Sequence, residues 1–177
     1  MSTAQRLRAR LLEALQRSHG VVDLREERDE DTSFVRALYA EVRAPELALV
    51  PWNEVQKRAF TDSQFSLQRE HYRRHYPTAE FLLIERDGTL IGRVYVHASP
   101  DTICLMEISL VEAQRGQGIG TVLIRELLLL AAEHGATVTL HVEPNNPAEH
   151  LYTRLGFNFV EQRGVYNFME WRPAAAS

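Results

Sequence analysis

The stretch QRGQGIG, Gln114 to Gly120, sets three glycines into five residues between two apolar runs. That is too much backbone freedom for a helix interior. A strand, a glycine-rich turn and a helix start together make an anion site. The first amides of the helix have no internal acceptor, and the helix dipole adds partial positive charge. Glycines let a phosphate approach those amides without a Cβ in the way, and Arg115 adds a full charge at the rim. A tight strand-to-helix turn with nothing bound fits the same residues equally well. Two phosphate loops do not fit. A P-loop ends in Gly-Lys-Ser/Thr, whereas Gly120 is followed by Thr121 with no lysine. A dinucleotide loop needs G-x-G-x-x-G, and its third position falls on Thr121 counted from Gly116, or on Leu123 counted from Gly118. Glu143 stands where a ribose-binding acid is expected, but the glycine spacing fails and several elements precede the loop.

Those elements can be read from periodicity and punctuation. In MSTAQRLRARLLEALQRSHG, Leu7, Leu11, Leu12 and Leu15 form one face of an amphipathic helix. Its arginines resemble a presequence, but no uninterrupted apolar core of a secretory signal is present, and a packed or partner-binding helix is preferred. VVDLREE reads as a strand. DEDTSFVRALYAEVR reads as a helix with acids at its front and Arg43 at its end, and Pro45 and Pro51 punctuate a short linker. Residues 53–76 form a long helical stretch stopped by Pro77, with a break expected near Thr61-Asp62. EFLLIER and LIGRVYVHA flank Asp87-Gly88 as a hairpin. TICLMEISLV, apolar at nearly every position, is expected to be a central strand covered on both faces. After the glycine loop come a helix ended by Gly135, the strand TVTLHV, a short helix closed by Gly156, and a final hairpin through Arg163-Gly164. The order is α+β: an antiparallel part, then one parallel crossover around the glycine loop. Residues 1–19 are read as a helical extension, 20–172 as one domain, and 173–177 as a disordered tail.

The bulk composition narrows the function classes. The chain has 177 residues with 45% hydrophobic and 25% charged content, which suits one globular core. The longest apolar run, Leu127 to Ala132, is too short to span a membrane. A formal charge of −4 argues against general nucleic-acid binding. The single cysteine, Cys104, allows no intramolecular disulfide and suits a reducing compartment, so the cytoplasm is expected. His71 and His75 stand four apart, but no HExxH pattern or third ligand accompanies them, and no metal is expected.

RGQGIG fits the Q/R-x-x-G-x-G/A motif of the GCN5-related N-acetyltransferase (GNAT) superfamily, with Arg115, Gly118 and Gly120 at its defined positions. Downstream, NNPAEHLYTRLGF resembles the family's second signature through Asn145 or Asn146, Ala148, Leu151, Tyr152, Gly156 and Phe157. The resemblance runs from about Asp23 to Trp171 and leaves the first helix outside. It implies a central mixed, mostly antiparallel sheet of six to seven strands flanked by helices, with an extra N-terminal helix.

The resemblance also implies a reaction: direct transfer of an acetyl group from acetyl-CoA to a primary amine of a small molecule or peptide. The CoA pyrophosphate would lie on the amides of Arg115, Gly116, Gln117, Gly118, Ile119, Gly120 and Thr121. Main-chain groups of Ile108, Ser109, Leu110 and Val111 would meet the pantetheine arm, with an amide near Leu110 polarising the thioester carbonyl. Asn145 or Asn146, with Ala148, would complete the cofactor contacts. Tyr152, protonated at neutral pH, matches the acid that protonates the leaving thiolate. Three base assignments stay open. Glu107 is a carboxylate inside an apolar strand, His141 has a suitable intrinsic pKa, and a dedicated base can be absent. Trp52 is the candidate acceptor-pocket wall, and Glu143 a second acceptor-side residue. A homodimer through the first helix or the C-terminal hairpin is a further expectation. Two competing readings share the fold: a non-catalytic acyl-CoA-binding module, and a toxin-type enzyme acting on aminoacyl-tRNA, which the net charge disfavours.

Overall fold

The computed structural model describes residues 1–175, so the expected 173–177 tail extends beyond the described residues. Seven strands form one sheet: β1 (Val22–Glu26), β2 (Glu80–Arg86), β3 (Thr89–Ala98), β4 (Thr102–Leu110), β5 (Thr137–Val142), β6 (Asn158–Arg163) and β7 (Tyr166–Trp171). Their spatial order is β1-β2-β3-β4-β5-β7-β6. All neighbours are antiparallel except β4 and β5. Five α-helices flank the sheet: α1 (Thr3–His19), α2 (Thr32–Leu47), α3 (Glu54–His75), α4 (Ile119–His134) and α5 (Ala148–Arg154). The α+β reading and its element order hold.

The two faces of the sheet differ in chemistry. One is covered by α1 and α4, whose leucines join β-strand valines and isoleucines in the main core. Leu7, Leu11 and Leu15 are fully buried there, and Arg10 ties α1 to α4 through Glu126 at 2.7 Å and Glu133 at 2.8 Å. The leucine face of the first helix therefore packs within its own chain and is closed to pairing between copies. The other face carries α2 and α3 over a smaller core of Val35, Tyr39, Phe65 and Leu83, ringed by ion pairs.

Three local expectations are corrected. Helix α2 runs through Pro45 to Leu47 rather than stopping before the proline. Proline removes one hydrogen bond here, in the last turn, and buried Leu47 holds that turn against the protein. Helix α3 is unbroken at Thr61-Asp62; Thr61 is buried, and its hydroxyl donates to the Arg58 carbonyl. Strand β4 is central, and it is covered more fully on one face than on the other. Ile103 and Leu105 lie in the main core, whereas Cys104, Met106 and Glu107 are half-buried.

The turn between β1 and α2 is held by Asp31. Arg25 grips both its carboxylate oxygens at 2.8 Å and also reaches Glu85 at 2.7 Å, while the Arg28 amide donates at 2.7 Å. The Arg25 guanidinium lowers the Asp31 pKa from 3.8 to about 2, with the Arg28 amide adding to the effect. A depressed carboxyl contributes stability above its ordinary pKa and loses it as pH falls through the folded value. Asp31→Asn should therefore lower stability at neutral pH by roughly 2 kcal/mol. It should also flatten the loss of unfolding free energy between pH ~4 and ~2. Urea titrations across that range check both.

Candidate functional site

The site begins where two paired strands part. β4 and β5 run in register from Thr102↔Thr137 to Leu105↔Leu140 and pair no further. The β3–β4 ladder shifts at that level. Tyr95 opposes Glu107 and Val96 opposes Leu105, which leaves Met106 as an extra residue in β4. Such a bulge bends its strand and re-aims the residues beyond it. The Tyr72 hydroxyl from α3 donates to the Met106 carbonyl at 3.1 Å and fixes the bulge.

Beyond the bulge, β4 keeps its ladder with β3 only. The Val111 amide donates to the Ile91 carbonyl at 2.8 Å. By alternation, the main-chain groups of Ser109 and Glu107 face β3, and those of Ile108 and Leu110 face the gap left by β5. The Leu110 carbonyl there accepts from the Arg115 guanidinium at 2.9 Å. Gly92 makes the close approach of β3 possible, because a Cβ there would sit 2.5 Å from the Ser109 carbonyl oxygen.

The glycine loop comes directly after this strand. Gly116 and Gly118 adopt φ +76° and +86°, which side chains rarely tolerate. Nothing crowds either position, so backbone conformation alone requires glycine. Gly118 caps α4, and the amides of Gly116 to Thr121 find no protein acceptor among the described residues. That row of free donors at the start of a four-turn helix suits a phosphate-bearing ligand. Ile119 is buried in the core and anchors the first turn. Arg115 is not the free rim charge the sequence suggested: its guanidinium is engaged by the Leu110 carbonyl and, at 3.4 Å, by Glu41.

Glu107 lies beside this gap, on the face opposite the main core. The Ser109 hydroxyl donates to it at 3.0 Å, and Gln68 and Arg93 reach its other oxygen at 3.5 Å. Arg93, 2% exposed, lies over the Tyr95 ring. Tyr152 on α5 is 8% exposed, packs on Phe157, and has no protein partner for its hydroxyl among the described residues. Burial first, then the charges of Glu107 and Glu143, push its phenol above the usual range, so it stays protonated. Burial, then Glu143, and more weakly Glu107, likewise raise Tyr166, with Arg43 opposing.

The other expected residues separate. His141 is not a satisfied core residue; it is exposed, packs at a tilt against Phe168 with ring centroids 5.0 Å apart, and bonds neither carboxylate. Partial desolvation, then the Arg163 charge, lowers its pKa. Asn146 is committed locally, donating to Glu143 at 3.1 Å and accepting the Ala148 amide at 2.9 Å at the start of α5. Asn145 is exposed, with φ +71°. Trp52 stands at the α2–α3 junction, 39% exposed, against Phe60 at 5.4 Å. His71 and His75 lie with their rings 4.5 Å apart on α3.

Sequence reading missed the roles of Arg93 and Tyr72. The signal for Arg93 was available: a charged residue inside the apolar strand LIGRVYVHA, of the same kind that marked Glu107. Nothing local marks Tyr72, whose partner Met106 lies far along the chain.

Known proteins resemble this chain in sequence and in fold. Residues 44–157 match the sequence model of the Acetyltransferase (GNAT) family. The chain is 32% identical over 113 residues to the L-2,4-diaminobutyric acid acetyltransferase of Nocardia farcinica, covering 60% of this chain and 58% of that protein. It is 33% identical over 85 residues to the [ribosomal protein bS18]-alanine N-acetyltransferase of Haemophilus influenzae, covering 48% and 58%. The matches thus span less than two thirds of these relatives' length. Among solved structures, the PaiA N-acetyltransferase of Thermoplasma acidophilum in complex with coenzyme A superposes with TM-score 0.64 at 21% identity, covering 85% of this chain and 98% of that one. The Escherichia coli ribosomal-protein-S18-alanine N-acetyltransferase gives 0.58 at 18%, covering 88% and 96%. These likenesses show the fold, and the family match over most of the chain makes it a member of the GNAT acetyltransferase family.

Proposed function

We propose that the chain is an acetyl-CoA-dependent N-acetyltransferase that acylates a primary amine of a small molecule or peptide directly. One observation carries this reading. The main chain of Ile108 and Leu110 is opened by the parting of β4 and β5, and it leads straight into a loop of unpaired amides. The residues present fit CoA. The amides of Gly116 to Thr121 suit a pyrophosphate, the open edge of β4 suits the amide-bearing pantetheine arm, and Asn145 is the asparagine left free to reach the ligand.

Bound acetyl-CoA supplies an activated acyl group and a thiolate leaving group. The protein's part is to hold, orient and move protons. The Leu110 amide is the candidate donor to the acyl oxygen. Tyr152 holds a proton near neutral pH, with its hydroxyl unclaimed by any neighbour, and delivers it to the sulfur. Its free hydroxyl favours catalysis over a binding-only module. Glu107 is the candidate base, acting directly or through water, with Arg93, Gln68 and Ser109 as its positioning residues. His141 is the weaker candidate, since it lies apart with Phe168 and Arg163.

On the acceptor side, Glu107 and Glu143 would draw an ammonium group, and Trp52 is the candidate outer wall. The relatives' names span both acceptor classes: a diamino acid in one, an alanine of a ribosomal protein in the other. Among the described residues no helix is long and apolar enough to cross a membrane. The cytoplasmic assignment rests on cysteine usage.

A thiol-release assay with acetyl-CoA and a panel of amines, from diamino acids to short peptides, tests the reading. Release with at least one amine is expected, and tight CoA binding with no release from any would favour the binding module. Tyr152→Phe should lower turnover at least tenfold with little change in acetyl-CoA affinity. Unchanged turnover would remove the acid role. Glu107→Gln should displace the acidic limb of the kcat/KM profile; an unmoved limb shows that Glu107 is not the base.

A further inference from the structure

The first helix lies outside the family resemblance, yet it touches the glycine loop. α1 runs antiparallel to α4: Arg10 meets Glu126 and Glu133, while His19, its last residue, reaches Gln117 just before the start of α4. The His19 Nε2–H donates to the Gln117 carbonyl at 2.8 Å, and Nδ1 meets the Ser18 hydroxyl at 2.8 Å, which sets the ring. From the other side, Arg86 at the end of β2 donates to the side-chain oxygens of Gln114 at 3.0 Å and Gln117 at 2.8 Å. The Gln117 side-chain amide then donates to the Ala113 carbonyl at 3.2 Å.

Gln117 is therefore gripped at its carbonyl and at both side-chain polar atoms, while its own amide has no acceptor among the described residues. It stands between Gly116 and Gly118, the two positive-φ residues of the loop. Glycines that permit such conformations do not enforce them, because each also populates others freely. Something beside them must hold the loop, and the contacts on Gln117 do so from α1, β2 and the turn before the loop.

We propose that the N-terminal helix is part of the cofactor site: His19, with Arg86, is a positioning residue that fixes Gln117 so that the loop amides converge on the CoA pyrophosphate. This rests on the CoA reading of the loop. Apparent affinity falls in proportion to the fraction of loops in the competent geometry, so a loop competent one-tenth of the time binds about tenfold more weakly. The helix cannot simply be deleted, because its leucines are core. Point variants separate the roles.

The test is CoA affinity by titration calorimetry, beside acetyl-CoA KM, kcat and melting temperature. His19→Ala and Arg86→Ala should each weaken CoA binding about tenfold and raise acetyl-CoA KM by a like factor, with kcat changing less than twofold. His19→Gln, which keeps a donor at the corresponding place, should recover most of the affinity. Arg8→Ala, on the same helix as His19, breaks an exposed pair with Glu26 of β1; it serves as control and should leave affinity unaltered. Affinity within twofold of the unmodified chain for His19→Ala overturns the proposal. So does failure of His19→Gln to recover it, or an equal loss in Arg8→Ala. Absence of CoA binding by the unmodified chain overturns the reading of the loop itself, and the clamp with it.

Discussion

The one extra residue in β4 is the constraint on which the site depends. Met106 breaks the ladder between β3 and β4 at the level where the parallel pairing of β4 with β5 ends. A parallel pair normally leaves no main-chain group free along its shared edge. Past this bulge, two residues of β4 have open amides in the middle of a sheet, beside a buried core. Unpaired groups in such a place are costly unless water or a ligand reaches them. The fold maintains that arrangement by holding β4 from its other side. Gly92 lets β3 approach closely, the Val111 amide closes the ladder, and Tyr72 pins the bulge itself.

The same bulge sets the face on which Glu107 appears. In an unbroken strand, Leu105 and Glu107 would project to the same side, which is the apolar core. The added residue turns Glu107 to the opposite face, where Arg93, Gln68 and Ser109 meet it. A carboxylate facing the leucines would carry a large desolvation cost. The side-chain chemistry and the main-chain opening thus arise from one irregularity. That links the proposed base to the proposed thioester contacts without a separate device for each.

Much of the fold was legible because its signals are local. Strand alternation, glycine stops and helix caps all act within a few residues, and the paired motifs marked the family. What could not be read depends on partners distant in sequence. A bulge has no signature of its own in TICLMEISLV, so the strand reads as evenly covered when Met106 and Glu107 are only half-buried. Arg115 reads as a free charge because Glu41 lies on a helix far upstream. Asn145 and Asn146 are equivalent as letters. Only the turn into α5, where Asn146 caps the Ala148 amide, tells them apart. Pro45 misled for an energetic reason: one lost hydrogen bond in a last turn is a smaller effect than the burial of Leu47.

The two faces of the sheet divide the work by the physics of their contacts. The α1–α4 side is held by aliphatic packing, which is dense and stiff, and it carries the glycine loop. A ligand that never changes in its phosphate portion suits such a mounting. The α2–α3 side is held by directional contacts: Arg25 with Asp31 and Glu85, Arg69 with Glu27, and Arg93 with Glu107. Polar networks of this kind depend on each partner's geometry, so a substitution there alters shape and charge together. If the proposed acceptor contacts lie on that side, few changes there would retune them, while the apolar side would keep the proposed cofactor loop intact.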